Sequence, residues 1–480
     1  MNLKSRTGRR RAGPALCSLR SAAGLVLVLL ALTSGNALAQ DTVWTRRFDT
    51  GIPGWTDESG GATVDPFGDL IAIDALWNDE ALESTYSYYV MVKYSPTGDT
   101  AWTRTRFCDS AAVVAGGIAA DGVGNLAVVG SFEPLDDYRV AGEVALYDTD
   151  GDSLWTRHIR IDDFTFLGAV AIDNSQNILV AGSNSDISRG TKDALLAKYS
   201  PGGELSWSRT LDFGRDTLEQ LSGLCLDSDS GVVAVGVSGY RGGRSVAARF
   251  SAAGDTIWTR QLDLDPQPAG HEFLNAVDRD PDGNFVACGA AWPGSGGTQR
   301  AVVVKFTPAG DTVWTSTFES EFDASTFDVA VDSAGNALVA GSLADSTGRR
   351  LGLLVKYSPD GEQVWSDTYR LDSDNWCSSV DLSGPNTVYV TGTVVDSVSE
   401  NWDLFAMRLD YAPAIAEHAP TRVERMRGPT VMQAADLARI TGRIFDATGR
   451  RVTGQAIRPG VYHFASETGV AVRRVIATSR

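Results

Sequence analysis

A nine-residue phrase ending in tryptophan returns six times along this 480-residue chain, and it leaves few folds open. The copies are YSPTGDTAW (94–102), YDTDGDSLW (147–155), YSPGGELSW (199–207), FSAAGDTIW (250–258), FTPAGDTVW (306–314) and YSPDGEQVW (357–365). In each, a glycine stands four residues before the tryptophan. A second phrase precedes it, as in VAVDSAGNALVAG (329–341), IAADGVGNLAVVG ending at Gly130 and VAIDNSQNILVAG ending at Gly182. Short apolar runs are bounded by Gly, Asn, Asp and Pro, the residues that supply turn geometry. The last full unit therefore predicts four strands, around Ala330, Leu338, Val355 and Trp365. No stretch of helical length carries apolar residues at spacings of three and four.

The tryptophans fall at 44, 102, 155, 207, 258, 314 and 365, at intervals of 51 to 58 residues. A period of that size with four strands per unit predicts a β-propeller of four-stranded blades. A lone blade cannot bury both faces, so blades must stack. Seven first-half units are found, near Ala62, Gly117, Ala169, Gly223, Ala276, Val329 and Ser379. The seventh runs on to a third strand at 404–409 and stops without its Gly and Trp. The missing piece is at the other end: QDTVW (40–44) matches GDTVW (310–314). The expected fold is an all-β, seven-bladed propeller closed by its N-terminal strand, which removes an open sheet edge.

Trp44, Trp102, Trp155, Trp207, Trp258, Trp314 and Trp365 read as structural blade residues. A buried tryptophan removes roughly 150–250 Å² from water, worth on the order of 4–6 kcal/mol as an upper bound. A residue placed identically in every blade belongs to the scaffold.

Residues 1–39 read as a secretory signal peptide: a head with Lys4, Arg6, Arg9, Arg10, Arg11 and Arg20, an apolar run at 22–32, and Ala37-Leu38-Ala39 as cleavage site. The run is too short for a membrane span. Cleavage there frees a chain that begins at the strand needed for closure. Residues 40–411 hold 25 basic and 55 acidic residues, a net charge of −30. That excludes nucleic acid, whose phosphates need basic neutralisation, and favours solubility; a monomer is expected. Cys108, Cys225, Cys288 and Cys377 remain after cleavage, with no CxxC and no metal-ligand spacing.

The variable segments lie between the second and third strands, which propellers commonly place on one face. They carry Trp77, Tyr86, Tyr88, Tyr138, Tyr240, Trp292 and Trp402. Aromatics on loops of a rigid scaffold are candidate contacts for a glycan or protein ligand.

The pattern changes at residue 412. A linker (412–425) leads to a small β-sandwich-like domain (426–480) with strands in TGRIFDATGRRV (441–452), RPGVYHF (458–464) and VRRVIATSR (472–480). The IFDATGRRV turn, the PGVYHF strand and the basic last strand resemble the C-terminal sorting domain of the type IX secretion system. RGPTVMQAADLARI stands where that family has an Asn-Pro and a fuller strand pair. The resemblance implies export machinery as a partner and a secreted or cell-surface location in a Gram-negative-type bacterium.

Catalytic chemistry finds no foothold. GDTAW, GDSLW and GEQVW resemble the docking repeats of quinoprotein dehydrogenases, which typically have eight blades and a calcium site that cannot be assigned in this sequence. Ser358, Asp360 and Trp365 fit the ends of the sialidase Ser-x-Asp-x-Gly-x-x-Trp box, but Gly361 comes one residue early. His158, His271, His418 and His463 are scattered, and there is no G-x-S-x-G, H-E-x-x-H or P-loop. Asp148, Asp150 and Asp152 lack the downstream Glu of a calcium loop and read as a blade turn. No cofactor or metal site is expected. As a whole, 41–411 resembles bacterial secreted propellers with YSPDG-type repeats. The expected function is that of an exported non-catalytic binding or surface protein. The alternatives are a propeller enzyme, either a glycan-active hydrolase or a quinone-dependent dehydrogenase, and a structural adhesion component.

Overall fold

The structure is a computed structural model. It describes residues 40–411 apart from 51–54, 79–86, 214–217, 240–242, 263, 265–269, 295–296, 385 and 400. Beyond these it describes five strand segments between 430 and 478. The chain divides into two compact units, Met1–Ala412 and Pro413–Arg480. Residues 1–39, read above as a signal peptide, the linker 412–425, Tyr86 and Tyr240 lie outside the described residues. Among the described residues there is no helix, hence none long and apolar enough to cross a membrane.

The first unit is a ring of seven four-stranded antiparallel sheets. The repeat predicted around Ala330, Leu338, Val355 and Trp365 forms β22 (Ala324–Val331), β23 (Ala337–Ala344), β24 (Arg350–Tyr357) and β25 (Gln363–Tyr369), paired in that order. The second and third strands bury both faces because each blade is sandwiched between two others, whereas the fourth alternates towards solvent. Seven apolar clusters result, one at each seam between blades.

The seventh sheet has the order β1-β28-β27-β26, with β1 (Gln40–Phe48), β26 (Asp374–Leu382), β27 (Thr387–Val395) and β28 (Trp402–Tyr411). The N-terminal strand supplies the fourth strand, from Gln40 opposite Tyr411 to Phe48 opposite Leu404. Closure by the first strand is therefore realised as the sequence predicts. The second unit holds β29 (Thr430–Gln433), β30 (Arg443–Asp446), β31 (Arg451–Val452), β32 (Gly460–Ala465) and β33 (Val472–Thr478) in one sheet of order β29-β33-β32-β30-β31.

Alternating hairpins give the ring two unlike faces. The turns after the first and third strands share one face and are short. Their glycines have positive φ, from +77° to +85° at Gly98, Gly151, Gly203, Gly254, Gly310 and Gly361. The loops after the second strand and the connectors between blades share the other face.

Candidate functional site

The turn face is scaffold by construction. The indole Nε1 of Trp44 donates to the Pro96 carbonyl of the next blade at 3.0 Å. The same bond recurs from Trp102 to Thr149, Trp155 to Pro201, Trp207 to Ala252, Trp258 to Pro308 and Trp314 to Pro359. Two residues on, Arg46, Arg104, Arg157, Arg209 and Arg260 lie 5.5–5.6 Å over their own indoles. Three of them also donate to the next blade's turn-glycine carbonyl, Arg46 to Gly98, Arg157 to Gly203 and Arg209 to Gly254. Trp365 faces the blade broken between Tyr411 and Gln40 and is buried in that seam's cluster. Asp148 binds the backbone N–H groups of Asp150 and Asp152, as an ordinary turn does.

The loop face carries the candidate ligand contacts. Tyr138, between β7 (Leu126–Pro134) and β8 (Ala141–Tyr147), is 71% exposed, and Trp292, at the end of β19 (Phe285–Trp292), is 47% exposed. Tyr88 opens β4 (Tyr88–Tyr94) and is half-buried, edge-on to Phe107 at 6.1 Å. Burial, then the charges of Asp57 and Asp74, push its phenol up to about 12. Trp402 is half-buried and edge-on to Trp376 at 5.2 Å, and Arg350 lies 5.7 Å over Trp376. Trp77 lies in β3 (Leu70–Asn78), its side chain outside the described residues. These residues share a rim but belong to four different blades. Phe107, Phe166 and Phe322 are further exposed aromatics at this end of the ring.

The same face holds an acidic cluster at the closing seam. Asp49, Asp57 and Asp403 bring carboxylate oxygens within 4.8 Å of one another. Asp57 on β2 (Trp55–Val64) accepts from the Thr50 N–H at 3.1 Å, and Asp403 pairs with Arg47. Burial above all raises both, Asp57 to about 7 and Asp403 to about 6, with Arg47 opposing the rise at Asp403. The position of Asp57 recurs with a scaffold role. Thr165, Glu219, Glu272 and Asn375 stand there in other blades and likewise accept from connector N–H groups, of Ile161, Phe213, Leu264 and Leu371.

Asp74 is different. In the other six blades its place on the second strand is held by Gly130, Gly182, Gly236, Gly289, Gly341 and Gly392, each opposite the residue before a first-strand bulge. A Cβ at those glycines would lie 1.8–2.0 Å from a carbonyl oxygen of the facing strand, so glycine is required there. The first blade reshapes its bulge, with Gly61 at φ +121°, and places an aspartate opposite Ser59. Asp74 is fully buried, and neither carboxylate oxygen has a hydrogen-bond partner among the described residues. Burial, then the charges of Asp57, Asp403 and Asp49, hold its carboxyl well above the usual range. The hydroxyls of Ser59 and Thr391 are also buried and without a partner among the described residues. Thr391 shares one face of β27 with Tyr389 and Thr393, which bind the first blade's Gly68 carbonyl and Ser59 N–H. The expectation of no metal site thus meets a cluster able to hold one; the signal in the sequence was the aspartate of LIAIDALW, aligned with the glycine of every other copy.

Carboxylates also bridge the inner strands around the channel. Asp278 accepts from the Val331 N–H at 2.7 Å, Asp328 from Val380 at 2.9 Å and Asp381 from Val64 at 2.7 Å. Burial raises Asp278 to about 6 and Asp381 to about 7 against these bonds. Of the histidines, His158 bonds Glu143, which Arg106 already binds at 2.9 Å, and no nucleophile completes a catalytic set among the described contacts. Cys225, Cys288 and Cys377 are buried and Cys108 half-buried, all as free thiols.

No family model matches the chain. An uncharacterised WD repeat-containing protein of Acanthamoeba polyphaga mimivirus is 26% identical over 155 residues, which is 28% of this chain and 11% of that protein. The match therefore spans a small part of that relative. Among solved structures, a protein of unknown function from Dyadobacter fermentans aligns with 78% of this chain and 99% of its own, at TM-score 0.48 and 9% identity. The β-propeller domain of the trilobed protease from Pyrococcus furiosus aligns with 76% of this chain and 99% of its own, at TM-score 0.41 and 8% identity. A polysaccharide lyase described as an ulvan lyase aligns with 75% of this chain and 95% of its own, at TM-score 0.45 and 12% identity.

Proposed function

We propose that the protein is an exported, non-catalytic binding propeller that takes a glycan on its loop face. One observation carries this reading: of the six aromatic side chains exposed among the described residues, Phe67 alone is on the turn face, and Phe107, Tyr138, Phe166, Trp292 and Phe322 are at the loop-face end. Exposed rings on a rigid rim suit the apolar faces of sugar rings. The net charge of −30 disfavours acidic glycans and points to neutral or amino sugars. In the same proposal, residues 1–39 direct export and 426–480 address the chain to a type IX-like secretion apparatus and the cell surface. The test is binding of the purified chain to an array of neutral, amino and acidic oligosaccharides. Binding to neutral or amino sugars that falls at least tenfold in Tyr138→Ala or Trp292→Ala is expected. Binding unaffected by either change, or cleavage of the bound sugar, would contradict the proposal.

A further inference from the structure

The second strand of a blade tolerates only glycine opposite the residue before the bulge, yet the first blade builds a different bulge to admit Asp74. A buried carboxylate without a hydrogen bond is costly, and native proteins that keep one give it a counter-charge, a proton or a bound ion. Four of the six buried polar atoms without a partner among the described residues are Asp74 Oδ1 and Oδ2, Ser59 Oγ and Thr391 Oγ1, all at the seam between the first and seventh blades. Asp57 and Ser59 are two apart on β2, and Ser59 is directly opposite Asp74, so the three side chains share one face of the sheet. Asp57, Asp403 and Asp49 meet there, and the guanidinium of Arg47, which pairs with Asp403, is shared with Asp372 and Asp396. The hydrogen bonds from Thr50 and Arg47 leave lone pairs on Asp57 and Asp403, since each carboxylate offers about four acceptor sites. Every donor atom is oxygen, which selects a hard cation over zinc or copper.

We propose that Asp49, Asp57 and Asp403, with the buried carboxylate of Asp74 adding its charge beside them, form a site for a divalent cation of the calcium class, bound across the seam where the N-terminal strand closes the ring. The ion joins the first blade, through Asp57, to the seventh, through Asp403, so it fastens the closure. The site does not depend on the glycan reading.

The experiment is calorimetric titration of the EDTA-stripped full chain with calcium chloride, and separately with magnesium chloride, alongside Asp74→Gly. That variant restores the residue of the other six blades and is expected to fold. The expected result is one calcium per chain with a dissociation constant in or below the ~10⁻⁴–10⁻³ M range of extracellular sites, a calcium-dependent rise in melting midpoint, and at least tenfold weaker binding in Asp74→Gly. If Asp74→Gly does not fold, Asp57→Asn is expected to show the same weakening. No calcium uptake by the wild-type chain, or equal uptake by the folded variant, would overturn the site.

Discussion

Trp44 lies flat against Gly98, a residue 54 positions later on the neighbouring blade: a Cβ built on Gly98 would stand 2.7 Å from the indole Cδ2. Gly98 also has φ +81°, where L side chains are strained. Gly98→Ala is therefore expected to cost about 2–4 kcal/mol, from overpacking plus backbone strain. Urea unfolding of the variant beside wild type measures it. Gly348→Ala, also at positive φ but with nothing within 4 Å of its Cβ, should lose only the strain part.

Lys305 is buried with its ammonium 2.7 Å from Asp280, and it reaches the Pro359 carbonyl of the next blade at 3.2 Å. Burial alone would raise Asp280; Lys305 and Asn284 outweigh it and hold the carboxyl below its usual value. Lys305→Ala is expected to destabilise by about 3–5 kcal/mol, because it leaves a buried charge unpaired. The double change Lys305→Met with Asp280→Asn should recover much of that loss in the same denaturation experiment.

The channel carboxylates are shifted the other way, upward by burial, and this sets a pH dependence. Asp381 titrates at about 7 in the folded ring, against about 4 when unfolded. Between those values the folded state holds more protons, so stability falls as pH rises. The contribution is complete below about pH 4 and lost above about pH 7. Asp278, at about 6, acts in the same sense. The melting midpoint should rise as pH is lowered from 8 towards 5, and Asp381→Asn should flatten that slope. A midpoint that climbs steadily from pH 5 to 8 would contradict the assignment.

Removing residues 41–48 takes away the fourth strand of the seventh blade and, with Trp44 and Arg46, its grip on the first. The exposed edge of β28 becomes a template for intermolecular pairing. The truncated chain should elute as aggregates in size-exclusion chromatography, whereas the parent should elute as a monomer.

Much of the fold was legible because the repeat is strict. The Gly-to-Trp spacing marks one turn and one strand, and the 51–58-residue period counts the blades. What the spacing does not reveal is that the two residues meet between blades, each tryptophan from Trp44 to Trp314 covering the glycine of the following copy. The arginine two places after Trp44, Trp102, Trp155, Trp207 and Trp258 was visible but carries no meaning until a turn lies beneath it. The Lys–Asp pairs joining Lys93 to Asp65, Lys198 to Asp173 and Lys356 to Asp332 were likewise hidden, since the partners are separated by a hairpin. Asp74 escaped for another reason: a repeat is read through what its copies share, and this residue matters because it departs from them. Asp403 and Asp49 could not be joined to it from sequence, since the ring brings them together from opposite ends of the chain.

The division of labour between the faces is tested most directly by amide hydrogen exchange on the full chain, with and without saturating neutral and amino oligosaccharides. Protection gained at 135–140 and 187–190 on the loop face, with the turns at 95–99 and 148–152 unchanged, is the predicted result. Protection confined to those turns, or no change on either face at saturating sugar, would contradict binding at the loop face.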